Sequence, residues 1–323
     1  MKAEWQFVLS FLLIIVSTIS GYLTRTRLGI KEQSAKVIMT VVAVAGYPIV
    51  GFMAIWGTPL QWADVWLPFL GATQATLMAF IALTIGRKLF PDRAERGVVG
   101  ISCGIGNHGV TMAGFAVYLV FGRIGLGLNM IYTLYTFFAL VLLSYTIAQH
   151  YSSEAKSRSI AKLMIGNLLH WRATGLYACL TAIFLTIAGF APPQQIHTWN
   201  LLNSAIYLVI AGAYFSIGLQ LHIPHIAKMK RAIICVIGIR QGVGLLIGLS
   251  LAGLTMCSPW PLEGLSLKVF LLQSSVPAGV LGVAVANMFS IKPREASAIF
   301  VVSSILYLAI GMPLVLWIFS PKL

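Results

Sequence analysis

Charge is what this sequence has least of. Of its 323 residues only 9% are Asp, Glu, Lys or Arg, and just 8 are acidic. A soluble domain uses about 25% charged residues to keep its surface wet, so water cannot be the main solvent of this chain. The few acids (Glu4, Glu32, Asp64, Asp92, Glu95, Glu154, Glu263, Glu295) all fall in loops or at the ends of apolar runs. That excludes a mid-membrane carboxylate as proton or sodium site, and it excludes catalysis by paired intramembrane aspartates. No His-Glu-x-x-His run is present, and the four cysteines (Cys103, Cys179, Cys235, Cys257) show no metal-ligand spacing and no disulfide framework. No enzyme, metal or cofactor is expected. A net charge of +14 would suit nucleic acid, but the basic residues are dispersed as flanks to apolar segments and form no single stripe, so no nucleic-acid partner is expected.

What remains is apolar: 59% of the residues are hydrophobic and the mean hydropathy is +0.90. A helix needs about 20 mostly apolar residues to cross roughly 30 Å of hydrocarbon. Ten segments meet that length: 5–22, 35–56, 64–86, 97–119, 125–147, 165–188, 199–220, 230–251, 266–289 and 296–319. None alternates with period 2, and lipid leaves no partner for free backbone groups, so all are expected to be helices. The start, Met1 and Lys2 followed by the run from Trp5, has too long an apolar stretch for a cleaved signal and reads as a retained first span.

Basic residues mark the expected cytoplasmic side. Arg25, Arg27, Lys31 and Lys36 lie on the first connection, and Arg87, Lys88, Arg93 and Arg96 on the third. Lys156, Arg158, Lys162 and Arg172 flank the fifth, Lys228, Lys230 and Arg231 the seventh, and Lys292 and Arg294 the ninth. The even connections hold little beyond Arg123 and Lys268. This alternation predicts both termini outside, in a bacterial-type inner membrane. The expected fold is therefore all-α and polytopic, with two five-helix repeats of opposite sense, 1–148 and 165–323, around a cytoplasmic linker at 149–164. Helices 4 and 9 would be broken crossover helices, as in inverted-repeat carriers.

Those two segments carry the polar chemistry. Segment 4 holds Gly104-Ile105-Gly106-Asn107-His108-Gly109, and segment 9 holds Gln273-Ser274-Ser275-Val276-Pro277-Ala278-Gly279. Dense glycine or an internal proline weakens a helical ladder, and at membrane depth such a defect must be buried or line a polar chamber. Helix ends freed there would suit a carboxylate. Glycine in a span also serves simple close packing, and Pro48, Pro277 and Pro313 would serve as kinks. Arg240 lies near the middle of segment 8 with no acid in reach along the sequence. An anionic ligand would balance it, and so would carbonyls freed by a broken helix. The candidate binding residues are Asn107, His108, Gly109, Gln273, Ser274, Ser275, Pro277 and Arg240. Gln74, Asn129, Asn203 and Asn287 read as polar glue between helices.

The run from Ser274 through Pro277-Ala278 and Asn287-Met288-Phe289 to Pro293-Arg294-Glu295-Ala296-Ser297 resembles the ninth and tenth helices of the auxin efflux carrier family. There a Pro-Ala pair breaks one helix, and the next opens after a short basic turn. Gly106-Asn107-His108-Gly109 resembles that family's Asn-x-Gly segment in helix 4. The resemblance implies membership of the wider group that includes bile-acid and sodium symporters, with Asn107 and Gly109 at one break and Pro277 and Ala278 at the other. It further implies a carrier of small organic acids. The expected function is a secondary transporter that moves a small organic anion by alternating access, with a proton (through His108) or sodium as coupling ion. The alternatives are a sodium-coupled symporter of the bile-acid type and a membrane sensor or structural protein. Expected partners are the solute, the lipid and a second copy of the chain as a homodimer.

Overall fold

The computed structural model describes residues 3–319 apart from 31–32, 57–61, 110–111, 153–159, 222–225 and 228. Lys31, Lys156, Arg158 and Lys228, used above to orient the chain, lie outside the described residues. In chain order the helices are α1 (Ala3–Leu28), α2 (Gln33–Ile55) and α3 (Trp66–Leu89). Then come α4 (Arg93–Gly104), α5 (Ala113–Phe138) and α6 (Tyr145–Tyr151). They are followed by α7 (Ile160–Leu168), α8 (Thr174–Ile187), α9 (Leu201–Gln220) and α10 (Lys230–Thr255). The last three are α11 (Gly264–Gln273), α12 (Val280–Met288) and α13 (Pro293–Phe319). Past a kink at Gly122, where φ is 63°, α5 runs through the π-turn Ala139–Ser144 into α6 as one rod, Ile124–Tyr151.

Six helices among the described residues are long and apolar enough to cross a bilayer: Gln33–Ile55, Trp62–Leu89, Ile124–Tyr151, Leu201–Gln220, Lys230–Thr255 and Pro293–Phe319. The chain is a multi-pass, all-α membrane protein. The expectation of ten spans in two inverted five-helix repeats is therefore corrected to six. The reasons are local. Segment 97–119 is cut between α4 and α5, where Gly104, Gly106 and Gly109 crowd together, and segment 266–289 between α11 and α12, at Pro277 and Gly279. Segment 165–188 divides into α7 and the 14-residue α8 around a short 3-10 turn, Trp171–Ala173. Segment 5–22 lies in α1, whose opening side chains are outside those described. The breaks at segments 4 and 9 are thus gaps between short helices, and they do not pair two repeats.

The chain forms two compact units, each from two separate stretches: Met1–Pro59 with Leu169–Leu221, and Leu60–Leu168 with His222–Leu323. In the first unit α1 lies along α9 so closely that a Cβ on Gly218 would strike the Thr18 carbonyl, and one on Gly21 the Phe215 carbonyl. Without a hydrophobic drive between helices in lipid, such small-residue seams give the dispersion contact that holds them. In α2, Pro48 cannot donate to the carbonyl four residues back. That carbonyl, of Val44, accepts instead from the Thr174 hydroxyl at 2.7 Å. Phe80, Leu208, Ile234 and Leu246 are each about two-thirds or more exposed, as befits faces solvated by acyl chains.

In the second unit α4 begins at Asp92, whose carboxylate accepts from the Ala94 N–H at 2.8 Å and caps the helix. The same carboxylate meets Lys292 at 2.5 Å, just ahead of α13, and Lys292 also reaches Glu295 at 3.9 Å. This pair fastens the start of α4 to the start of α13. The hydrogen bond from Lys292 holds the Asp92 carboxyl below its ordinary value, against partial burial, with the Ala94 N–H adding to it. A lowered carboxyl stabilises the fold fully above the ordinary carboxylate range near pH 4. That stability is lost as pH falls through the folded-state value. Because both side chains are partly solvated, the pair is worth at most about 1 kcal/mol after screening. Asp92→Asn should therefore lower the melting temperature at pH 7 and flatten its decline between pH 5 and pH 3, measured in detergent against the parent protein.

Candidate functional site

The two glycine- and proline-broken segments meet inside the second unit. Past Gly104 the chain runs extended, and past a turn at Ser274 and Ser275 it does so again before α12 starts. The two extended pieces pair as an isolated antiparallel bridge between Gly106 and Ala278. The Asn107 N–H donates to the Pro277 carbonyl at 2.9 Å, and the Gly279 N–H donates to the Ile105 carbonyl at 2.8 Å. Glycine is needed on both sides. A Cβ at Gly279 would strike the backbone of Gly106, and a Cβ at Gly106 would strike the Arg240 guanidinium and the His108 ring.

Arg240 reaches this bridge from α10, where it sits in a π-turn, Gly238–Val243. The wider turn is a device often found at functional sites. The side chain is wholly buried. Its Nε donates to the Val276 carbonyl at 3.1 Å, and Nη1 donates to the Cys103 carbonyl at 3.0 Å. One carbonyl comes from each broken segment, so the guanidinium ties them together. Nη2 lies 3.3 Å from His108 Nε2. Among the described residues no carboxylate pairs with Arg240.

Donor direction fixes the rest. A guanidinium only donates, so His108 Nε2 must accept, and the ring proton sits on Nδ1. Nδ1 then donates to Gln273 Oε1 at 2.8 Å. The Gln273 amide nitrogen donates to Asn129 Oδ1, and the Asn129 amide nitrogen donates to the His108 carbonyl at 3.2 Å. The relay runs from Arg240 through His108, Gln273 and Asn129 and returns to the His108 backbone. Tyr132 and Tyr135 press edge-on against the imidazole, at 5.1 and 5.6 Å between ring centroids. Gln74, from α3, donates to the Gly244 carbonyl at 2.7 Å and the Ser274 carbonyl at 3.1 Å. Gly244 and Gly248, one turn apart on α10, leave the room in which Ser274 lies.

Of the residues singled out from the sequence, His108, Gln273 and Arg240 meet side chain to side chain. Asn107 and Pro277 meet through the backbone bridge. The Ser274 hydroxyl turns back to the Phe270 carbonyl at 2.9 Å while its own carbonyl takes Gln74. The Gly109 carbonyl accepts from Met112 and Gly114, closing the turn into α5. Ser275 stands half-buried beside the bridge and joins no hydrogen bond of the network. Asn129 and Gln74, read as glue, are members of the network, whereas Asn287 bonds within its own helix and Asn203 within its own turn. Tyr132 and Tyr135 were not singled out. Their spacing of three on one helix face, one turn from Asn129, was the available signal.

Against family models and against curated proteins, the chain has no match. Two outcomes test the geometry. Gly106→Ala should force Arg240 or His108 aside and lower stability by about 1–3 kcal/mol, as overpacking does, read from thermal unfolding in detergent. Histidine-selective nitrogen-15 spectra should show His108 as the Nδ1-protonated tautomer, and Arg240→Gln should release that preference.

Proposed function

We propose that this chain is a secondary carrier of a small organic anion, most naturally a carboxylate. The observation that supports it is a fully buried guanidinium at the meeting of two broken segments, compensated by carbonyl dipoles and a neutral imidazole but, among the described residues, by no carboxylate. An arginine within a membrane costs roughly 2.5–3.5 kcal/mol on insertion scales, and such residues mark ion and substrate pathways. Three bonds from a charged donor, each worth about 1.5–3 kcal/mol, make the residue tolerable and leave its positive charge in place. An anion entering beside it would gain that charge without dismantling a salt bridge. All side chains of the relay are buried, so carriage requires the bridge to open towards one membrane face and then the other. The Lys and Arg residues that flank the apolar segments support a location in a bacterial-type inner membrane. The likeness of the Gly106–Gly109 and Ser274–Ser297 runs to the auxin efflux carrier family supports a carrier over an enzyme.

The test is flux. The purified chain in proteoliposomes should take up labelled mono- or dicarboxylates above protein-free vesicles, and Arg240→Gln should lower uptake about tenfold or more, the value of a charged hydrogen bond. Thermal unfolding of both proteins confirms that the variant is folded. Uptake that is unchanged in a folded Arg240→Gln protein, or absent for every acid in the parent, sinks the reading. Uptake that requires sodium would replace it with sodium-coupled symport.

A further inference from the structure

A second feature of the same unit adjoins the bridge without using its residues. A groove of about 540 Å³ runs between α3, from Ala72 to Arg87, and the rod that carries α6, from Phe138 to Tyr151. That volume is within the range of ligand pockets. Its walls are apolar because the hydroxyls of Thr76 and Thr84 turn back onto their own helix, to the Ala72 and Phe80 carbonyls at 2.8 Å. Phe80 and Phe138 stand at its edges with 68% and 39% of their surfaces exposed, so it opens sideways. No acid lines it.

One end is different. Arg87, in the last turn of α3, is exposed and forms no ion pair among the described residues. His150 faces it across the mouth, and Arg93 donates from Nη2 to the His150 carbonyl at 2.7 Å, adding a second guanidinium there. One turn deeper, the Thr146 hydroxyl has no hydrogen-bond partner among the described residues and is closed off from the groove by its neighbours. The groove thus presents a cationic mouth followed by an apolar trench.

That is the order of chemistries along an anionic phospholipid: a charged phosphate, then an acyl chain. Length agrees. Ala72 to Arg87 spans roughly 22 Å of helix, and one leaflet with its headgroups is about 20–22 Å deep. The geometry points to a site for one anionic phospholipid, its phosphate at Arg87 and Arg93 and a chain between the helices. Juxtamembrane cations draw anionic headgroups, and a zwitterionic lipid would satisfy the trench but not the mouth. The inference does not depend on the carrier reading, since it uses none of the bridge residues.

Native mass spectrometry of the full chain, titrated with phosphatidylglycerol or phosphatidylcholine of equal chains, tests it. The parent protein should retain phosphatidylglycerol about fivefold more than phosphatidylcholine, the worth of a cation near the headgroup. Arg87→Gln should bring the two to near parity while phosphatidylcholine retention stays. Thr76→Trp, at an exposed wall position, should lose both lipids. Equal retention of the two lipids by the parent protein, an unchanged preference in Arg87→Gln, or retention undiminished in Thr76→Trp would overturn the assignment. So would efficient disulfide cross-linking of two Phe80→Cys chains in native membranes, which would give the groove to a second copy.

Discussion

Broken helices inside a membrane create an immediate debt of unpaired carbonyls, and in this protein one side chain answers for two breaks at once. Arg240 binds the Cys103 carbonyl at the end of α4 and the Val276 carbonyl in the loop after α11. Between those bonds the extended strands make their own short bridge at Gly106 and Ala278. Remove the guanidinium and the bridge rests on two backbone bonds. Remove the bridge and the carbonyls that solvate the guanidinium lose their fixed places. The glycines at 106 and 279 follow from the same constraint, because only a residue without Cβ lets a guanidinium and a second backbone come so near.

The fixed direction of donors gives this centre an electrostatic character that a list of polar residues would not. Arginine cannot accept a hydrogen bond, so the imidazole beside it is held as an acceptor, and Gln273 and Asn129 are oriented in turn. A neutral ring set against an unneutralised cation leaves one net positive charge at the centre of the unit. That favours an anion over a cation as visitor, and it argues against His108 as a proton carrier in this arrangement, since a protonated ring would turn a second donor towards the guanidinium.

The groove and the bridge share a wall. A Cβ at Gly104, the last residue of α4, would touch both Ala79 and Leu143, which line the groove, and the preceding residue supplies the carbonyl that holds Arg240. Whatever fills the groove bears on the end of α4, and movement of α4 bears on the clamp. The Asp92–Lys292 pair anchors the opposite end of that helix. α4 is thus held at both ends, by an ion pair in the aqueous zone and by a buried cation within, and its 12 residues leave little slack between them.

Composition and periodicity were enough to determine that this is an all-α, multi-pass membrane protein, because too few charges can face water and lipid tolerates no unpaired strand edge. They also located the polar centre, since Gly106, Asn107, His108, Gln273 and Arg240 are conspicuous against apolar neighbours. They did not determine the number of spans. Hydropathy averaged over 97–119 or 266–289 is the same for an unbroken rod as for two short helices and a turn, and only backbone geometry distinguishes them. Nor did they reveal what balances Arg240, or that Asn129 and Gln74 belong with it. Those depend on which faces of α3, α5, α10 and α11 turn towards one another, and that is set by close packing at glycines far apart in the chain, a property of the assembled fold rather than of any single segment.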